Sequence, residues 1–443
     1  MKKWNRLIFT VILLMGTLLL LGSCDKTPKV TEPDPTTPSD GLEFAIHSDG
    51  TAYVKGVGTC TDPVILIPSE TPDGIPVTVI GDGAFRQVSG IQRVIIPEGV
   101  TVVAPGAFKQ CKDLISVEFP DSLLVIHQNA FVSCEQLTEA DLPPNLIYLG
   151  SCAFSHTNIS SVTLPDSLRY LEYAYGGCEI RNTVYLPESL YEIQGAGFSD
   201  SSETKYNNGT YVGTKDNPYY ALIKVDTDAA VDSFTIHPDT KIICPGMFAE
   251  NEGYKGKFVE YNNGYYIGTE DNPYFVLVSV KANASSLAIH DHTKIIDYDA
   301  IGPNITDIQI SALSELEYVY RHAFNSMNAS EVNLQHCEKL RYVGNDAFNN
   351  CSKLQKVSFP ENVAMLGTAF FHCYPLKEIH YEGNSEKLSA FFVFNNQFTY
   401  YDYSPSKDNY LPKDCVIFCD GSILSAEGVD ITNQYINENM PIG

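Results

Sequence analysis

Apolar residues recur along this chain with a long period rather than the 3.6-residue beat of an amphipathic helix. Phe85, Phe108, Phe131 and Phe154 stand 23 residues apart, and Phe198 follows 44 later, close to two further periods. Pro97, Pro120, Pro143, Pro165 and Pro187 run beside them at steps of 23, 23, 22 and 22. After an interruption, Phe324, Phe348 and Phe371 resume at 24 and 23. In one unit, LISVEFPDSLLVIHQNAFVSCEQ from Leu114 to Gln136, residues Leu114, Val117 and Phe119 suit one face of a short strand. Pro120 ends that strand, because proline has no N–H for a ladder. Leu124 and Ile126 begin a second apolar stretch, and Ala130-Phe131 fill the corner. One such unit cannot bury its own apolar face, so copies must stack into a continuous core. The pattern therefore predicts a mainly β solenoid of short strands.

Two inserts interrupt the period and copy each other. Tyr206-Asn207-Asn208-Gly209 recurs 55 residues later as Tyr261-Asn262-Asn263-Gly264, and Asp216-Asn217-Pro218-Tyr219 as Asp271-Asn272-Pro273-Tyr274. Asn-Gly between β-rich flanks signals a hairpin, and Asp-Asn-Pro marks another turn. Each block returns to solenoid-like sequence at Lys241-Ile242-Ile243 and Lys294-Ile295-Ile296.

A period of 22–24 residues lies in the leucine-rich-repeat range. The Ala-Phe-x-x-Cys corners (Ala107-Phe108-Cys111, Ala130-Phe131-Cys134, Ala347-Phe348-Cys351) and the strand-ending Phe/Leu-Pro with a following Leu resemble the BspA-type leucine-rich-repeat surface lipoproteins of Bacteroides-like gut and oral anaerobes. The segment from Leu42 to Phe85 resembles that family's N-terminal cap, and the likeness runs over roughly residues 42–380. It implies a right-handed solenoid with strands stacked into parallel sheets, an N-terminal cap and β-hairpin inserts. It also implies adhesion to host proteins, other bacteria or extracellular matrix. The chain then divides into a signal peptide (1–23), a Pro-rich tether (24–41), a cap (42–84), a first array (85–198), two hairpin-bearing repeats (199–290), a second array (291–380) and an aromatic-rich C-terminal cap (381–443). Tyr175 stands where a corner Phe is expected and Ile301-Gly302 replaces Ala-Phe, so distorted turns are expected at both places.

The first residues give an address. Lys2, Lys3 and Arg6 precede an apolar run from Leu7 to Leu21, too short to span about 30 Å of hydrocarbon comfortably. Leu21-Gly22-Ser23-Cys24 resembles a bacterial lipobox, which implies acylation of Cys24 and anchoring of the chain in the cell envelope; Asp25 after it is compatible with inner- or outer-membrane retention, so leaflet and face stay open, and the outer membrane with surface exposure is the expectation. Several acyl chains anchor stably, at about 0.8 kcal/mol per buried CH₂. Cleavage would leave 420 of the 443 residues, take the net charge from −25 to −28 and remove Trp4, the only tryptophan. Residues 25–40 carry four prolines and few apolar groups, a semi-extended tether of order 3 Å per residue.

Composition narrows the partners. A net charge of −25 with no clustered cations argues against nucleic acid. The 44 % apolar content supports a sizeable core, and twelve Cys in 443 residues are too dilute for a disulfide scaffold. Cys111, Cys134, Cys351 and Cys373 follow the corner Phe and should point inward. Adjacent turns would bring their Cα atoms about 5 Å apart, close enough to bridge, but a repeated small apolar site favours buried free thiols. No Cys-x-x-Cys or His-x-x-x-His pair supports zinc. Asp226, Asp228 and Asp232 lack the Gly and bidentate Glu of an EF-hand loop. There is no Gly-x-Ser-x-Gly elbow and no phosphate-binding Gly-rich loop. The expectation is no enzyme activity, no cofactor and no metal.

Binding surface is what remains. The residue before the last apolar position of each strand should face outward, and stacking aligns Ile95, Glu118, Asp141, Thr163 and Tyr185 into a row, with Arg93, Ser116, Glu139, Ser161 and Thr183 two positions earlier. Its acidic middle suits a basic or Ca²⁺-bridged partner. A second platform, suited to a glycan, would use the hairpin rings Tyr211, Tyr219, Tyr266 and Tyr274, against the alternative that they pack the hairpins onto the solenoid. Aromatics also crowd into residues 388–410. Asp121-Ser122-Leu123 and Asp166-Ser167-Leu168 resemble O-glycosylation acceptors, and also suit a turn. The sequence reads as a monomeric membrane-tethered binding protein for an extracellular protein or glycan.

Overall fold

Apolar runs here last only two to five residues before proline or a polar turn stops them, so the secondary structure is a series of short strands. The computed structural model describes residues 37–47, 50–195, 197–198, 202–226, 234–248, 257–344, 346–365, 369–370, 372–383, 412, 414–419 and 422–425. Among them there is no α-helix, and the strands stack into a β-solenoid. Cys24, the signal and most of the tether, Phe371, Asp228, Asp232 and the aromatics of 388–410 lie outside the described residues.

One long sheet runs through the first array. It starts with an antiparallel hairpin of Glu43–Ile46 and Ala52–Gly56, then continues in parallel through Val77–Ile80, Val102–Val103, Val125–Ile126, Tyr148–Leu149, Tyr170–Glu172 and Glu192–Gln194. On another side of the coil Val64–Leu66, Arg93–Ile95 and Ser116–Glu118 pair in parallel, with Arg93 opposite Ser116 and Ile95 opposite Glu118. From the second hairpin-bearing repeat into the second array, Val276–Val280, Ile295–Ile296, Tyr318–Val319, Tyr342–Val343 and Ala364–Met365 form the corresponding long ladder. A shorter sheet of Glu331–Asn333, Lys356–Phe359 and Glu378–Tyr381 is closed by the hairpin Val416–Cys419 with Ser422–Ser425.

The corners hold the stack. The rings of Phe85, Phe108, Phe131 and Phe154 lie parallel with centroids 4.9, 5.0 and 5.1 Å apart. All four are fully buried. Their amides donate to the alanine carbonyl of the next turn, as from Phe108 N to Ala130 O at 2.8 Å and from Phe131 N to Ala153 O at 2.7 Å. The thiols are free, and each donates back one turn: Cys111 to Phe85 O at 2.9 Å, Cys134 to Phe108 O at 3.1 Å, Cys351 to Phe324 O at 3.0 Å and Cys373 to Phe348 O at 2.7 Å. Serine hydroxyls at the opposite turn do likewise, Ser122 to Val100 O at 2.9 Å and Ser167 to Leu146 O at 2.7 Å.

Three expectations need correction. Tyr175 does not distort its turn: its ring continues the stack 5.4 Å from Phe154 at 11°. Ile301 occupies the corner site fully buried, with its amide 2.9 Å from Ala323 O in the same ladder. In the last described corner it is Phe370, one residue before the periodic position, whose ring stacks 5.2 Å from Phe348.

The inserts are hairpins, Glu203–Tyr206 with Gly209–Val212 and Val259–Tyr261 with Gly264–Ile267, each extended by a third antiparallel strand. The turn sits one residue earlier than the Asn-Gly signal. Asn207-Asn208 (φ 42° and 64°) and Asn262-Asn263 (φ 41° and 71°) form it, the pair of positive φ values that a tight two-residue hairpin needs.

Candidate binding surfaces and a cavity between the arrays

The outward row is regular only at its start. Glu118 is exposed and paired with the Arg93 guanidinium, its Oε1 2.8 Å from Arg93 Nε. A single bridge carries the pairing from Ser116 to Glu139, and Val117 N donates to Glu139 O at 3.0 Å. Glu139, Asp141, Ser161, Thr163, Thr183 and Tyr185 are all exposed, as expected. Beyond Glu139, however, the strand ladder stops, so the expected regular sheet is not formed at Thr163 and Tyr185. The side chain of Asn182 takes its place, accepting from Val162 N at 2.9 Å and donating to Val162 O at 2.7 Å. An amide that bonds the backbone in this way displaces the ladder partner.

The tyrosine platform is corrected by burial. Tyr211 and Tyr266 are 0 % exposed and their hydroxyls accept from the amides of His237 (3.1 Å) and His290 (3.4 Å). Burial pushes both phenols up to about 12. They fasten the hairpins to the solenoid and present no face to a ligand. Tyr219 and Tyr274 are half-buried, and each has one face covered by a histidine ring, His237 at 3.6 Å and His290 at 3.7 Å. The two hairpins are the same module built twice, down to the Asn217 and Asn272 side chains, which each donate at 2.8 Å to a carbonyl of the following turn.

A third feature joins residues far apart in sequence. On Tyr170–Glu172 the middle residue Leu171 points into its own coil, while Tyr170 and Glu172 point out; Val343 and Tyr342 alternate likewise. The outward faces of the two arrays meet. Tyr342 OH donates to Glu192 Oε2 at 2.6 Å, and the Tyr342 ring lies 5.5 Å from Tyr170 and 5.8 Å from Tyr191. Nearby, Ile243 N donates to Tyr320 OH at 3.1 Å and Gly246 N to Asp297 Oδ1 at 2.8 Å. A cavity of about 130 Å³ remains between the faces, lined by Tyr148, Tyr170, Glu172 and Glu192 from one side and Arg321, Tyr342 and Asp346 from the other.

The electrostatics of this junction follow from burial. Glu172 is raised above the ordinary carboxylate range by desolvation, although it accepts from Tyr148 OH and Ser151 N, both at 2.9 Å. Desolvation also raises the Tyr170 and Tyr342 phenols, which therefore remain protonated donors. None of these residues was a candidate from sequence. The available signal was tyrosine at outward strand positions, 148 and 170 in one array and 318 and 342 in the other, where one solvated strand face is expected to be polar.

Comparison with known proteins bears on the repeats. The sequence model of the BspA type leucine rich repeat region matches in six copies over residues 70–175 and 280–411, more than half of the chain. No curated protein matches. Among solved structures, a leucine-rich repeat protein from Bacteroides ovatus is 18 % identical, with 87 % of this chain and 100 % of that one covered and a TM-score of 0.33. A leucine rich cell surface protein from Faecalibacterium prausnitzii is 20 % identical, with 80 % and 97 % covered and a TM-score of 0.33. A leucine rich repeat protein of T. pallidum is 24 % identical over 35 % of this chain and 80 % of its own, with a TM-score of 0.31.

Proposed function

The chain belongs to the BspA-type leucine-rich-repeat family, and from that premise we propose that it is a non-catalytic adhesion protein, held in the cell envelope by lipid on Cys24 and displayed at the surface. Repeat proteins of this kind fit a protein-binding or adhesive role, because stacked units present extended, regular surfaces. The observation that carries the reading is the outward row. Glu118, Glu139 and Asp141 are exposed, the bridge from Ser116 brings the strand of Glu118 next to Glu139, and among the described residues only Arg93 forms an ion pair with any of the three. Such a row attracts a basic protein surface and speeds its encounter.

The test is surface plasmon resonance against a panel of extracellular-matrix and bacterial surface proteins, with a glycan array in parallel. The triple variant Glu118→Lys, Glu139→Lys, Asp141→Lys should lose at least about tenfold in affinity for whichever protein binds, chiefly through the association rate. Unchanged binding by that variant removes the row from the proposal. Retention on glycans alone would favour the second reading, capture of a glycan by the hairpins, now limited to Tyr219 and Tyr274 by the burial of Tyr211 and Tyr266.

A further inference from the structure

The faces that meet between the arrays are built from residues that suit two states. Glu172 and Glu192 stand at outward positions of their strands, where an open sheet face is solvated. Closure takes them out of water together with Asp297 of the second array: Glu192 is 6 % exposed, Asp297 1 %, and Glu172 is half-buried. Apolar residues would join two solenoid arms without this cost. A carboxylate that loses water must recover its interactions or take up a proton.

The surroundings recover only part. Glu172 accepts from Tyr148 OH and Ser151 N, and Glu192 from Gln194 Nε2 at 2.8 Å and from Tyr342 OH. Asp297 Oδ1 accepts from the amides of Gly246 and Tyr298, but Oδ2 has no partner. The guanidinium of Arg321 acts on Glu172, and it lies over the Tyr298 ring at 5.3 Å. Arg169 is spent on the carbonyls of residues 166–168 and on the Tyr191 ring, and at the rim His322 lies 3.7 Å from Asp346. Tyr148, Tyr170, Tyr320, Tyr342 and Cys244 are all raised by burial and stay protonated at neutral pH. Burial raises Glu172 and pushes Asp297 up to about 7, and the charge of Glu192 adds to both. A carboxyl raised on closing contributes fully to closure below its ordinary value of about 4. That contribution is lost as pH rises through the closed-state value.

We infer that the junction is a pH-controlled clasp: protonation of Glu172 and Asp297 draws the tyrosine faces of the two arrays together, and their ionisation releases them. Release uncovers Tyr170 and Tyr342, so one chain presents different surfaces in acid and above neutrality. The clasp is independent of the outward acidic row.

Hydrogen exchange of the whole chain, read residue by residue by mass spectrometry with electron-transfer fragmentation, tests this. The amides of Ile243 and Gly246 find their acceptors across the junction, at Tyr320 OH and Asp297 Oδ1. Those of Cys244 and Gly344 donate within their own ladders, to Leu222 O and Val319 O. After correction for the intrinsic rate at each pH, protection of Ile243 and Gly246 should fall at least about tenfold from pH 5 to pH 8, the span in which Asp297 ionises. Cys244 and Gly344 should keep theirs. Asp297→Asn should remove most of the fall at Ile243, whose own acceptor does not titrate in that span, and Glu172→Gln part of it. Unfolding midpoints report whether each variant is folded. Equal protection of Ile243 and Gly246 at the two pH values overturns the inference. So does a loss shared by Cys244 and Gly344, which would place the pH dependence in the coils themselves, or a fall that both folded variants retain.

Discussion

At the residue scale the repeat is defined by its corner. Residues two before and two after the corner phenylalanines of the first array adopt a left-handed backbone, as Gly106 (φ 60°) and Gln110 (62°) around Phe108 and Asn129 (57°) and Ser133 (58°) around Phe131. A side chain in that region costs roughly 1–2 kcal/mol, and it is held there because alternate corner amides, as of Gly106, Phe108 and Gln110, donate to the next turn. This scale was the most legible from sequence, because ring, alanine and cysteine repeat as letters. Phe370 was missed because Phe371 beside it fits the arithmetic equally well. A buried carboxylate was not legible at all. Asp297 is 1 % exposed, with Oδ2 unpartnered and Oδ1 accepting from Gly246 N and Tyr298 N. Burial pushes it up to about 7, and the negative charge of Glu192 adds to that, while Cys244 and Tyr320 are raised mainly by their own burial, with the charge of Asp297 adding a smaller part. An unfolded aspartate titrates near about 3.9. Between these values the folded chain binds more protons than the unfolded one, so stability falls as pH rises from about 4 to about 7, by at most about 4 kcal/mol. In urea unfolding from pH 4 to 8, Asp297→Asn should flatten this fall. Glu172, raised in the same direction, would leave a residual slope. Parallel curves for variant and wild type would refute the assignment.

At the element scale the duplicated hairpins allow an internal control. A Cβ on Gly209 would lie 2.7 Å from the Tyr211 ring and 3.0 Å from Leu222 Cδ1, and one on Gly264 would meet Tyr266 and Leu277 at the same distances. Those neighbours are fully buried and cannot give way freely. Gly209→Ala and Gly264→Ala should therefore each destabilise by about 1–3 kcal/mol, as overpacking does, and by similar amounts in thermal unfolding. A large effect at one and none at the other would show that the modules are not equivalent. The hairpins were legible because Asn-Asn-Gly states a turn. The outward ladder was over-read, since strand pairing depends on what the neighbouring turn offers, and Asn182 offers a side chain instead of a backbone partner.

At the scale of the whole molecule the two arrays do not simply follow one another along an axis. Their outward tyrosine faces touch, and a single hydrogen bond links residues 150 positions apart. No periodicity announces such a contact, because the pattern within a repeat records what each coil buries against its neighbour and not what a distant coil presents. Both the cavity and the buried Glu192 depend on this closure. A double-mutant cycle of Glu192→Gln and Tyr342→Phe, read by chemical unfolding, tests it most directly. Contact in solution predicts a coupling energy of about 1–3 kcal/mol between the two positions. Effects that add to within about 0.3 kcal/mol would mean that the arrays stand apart.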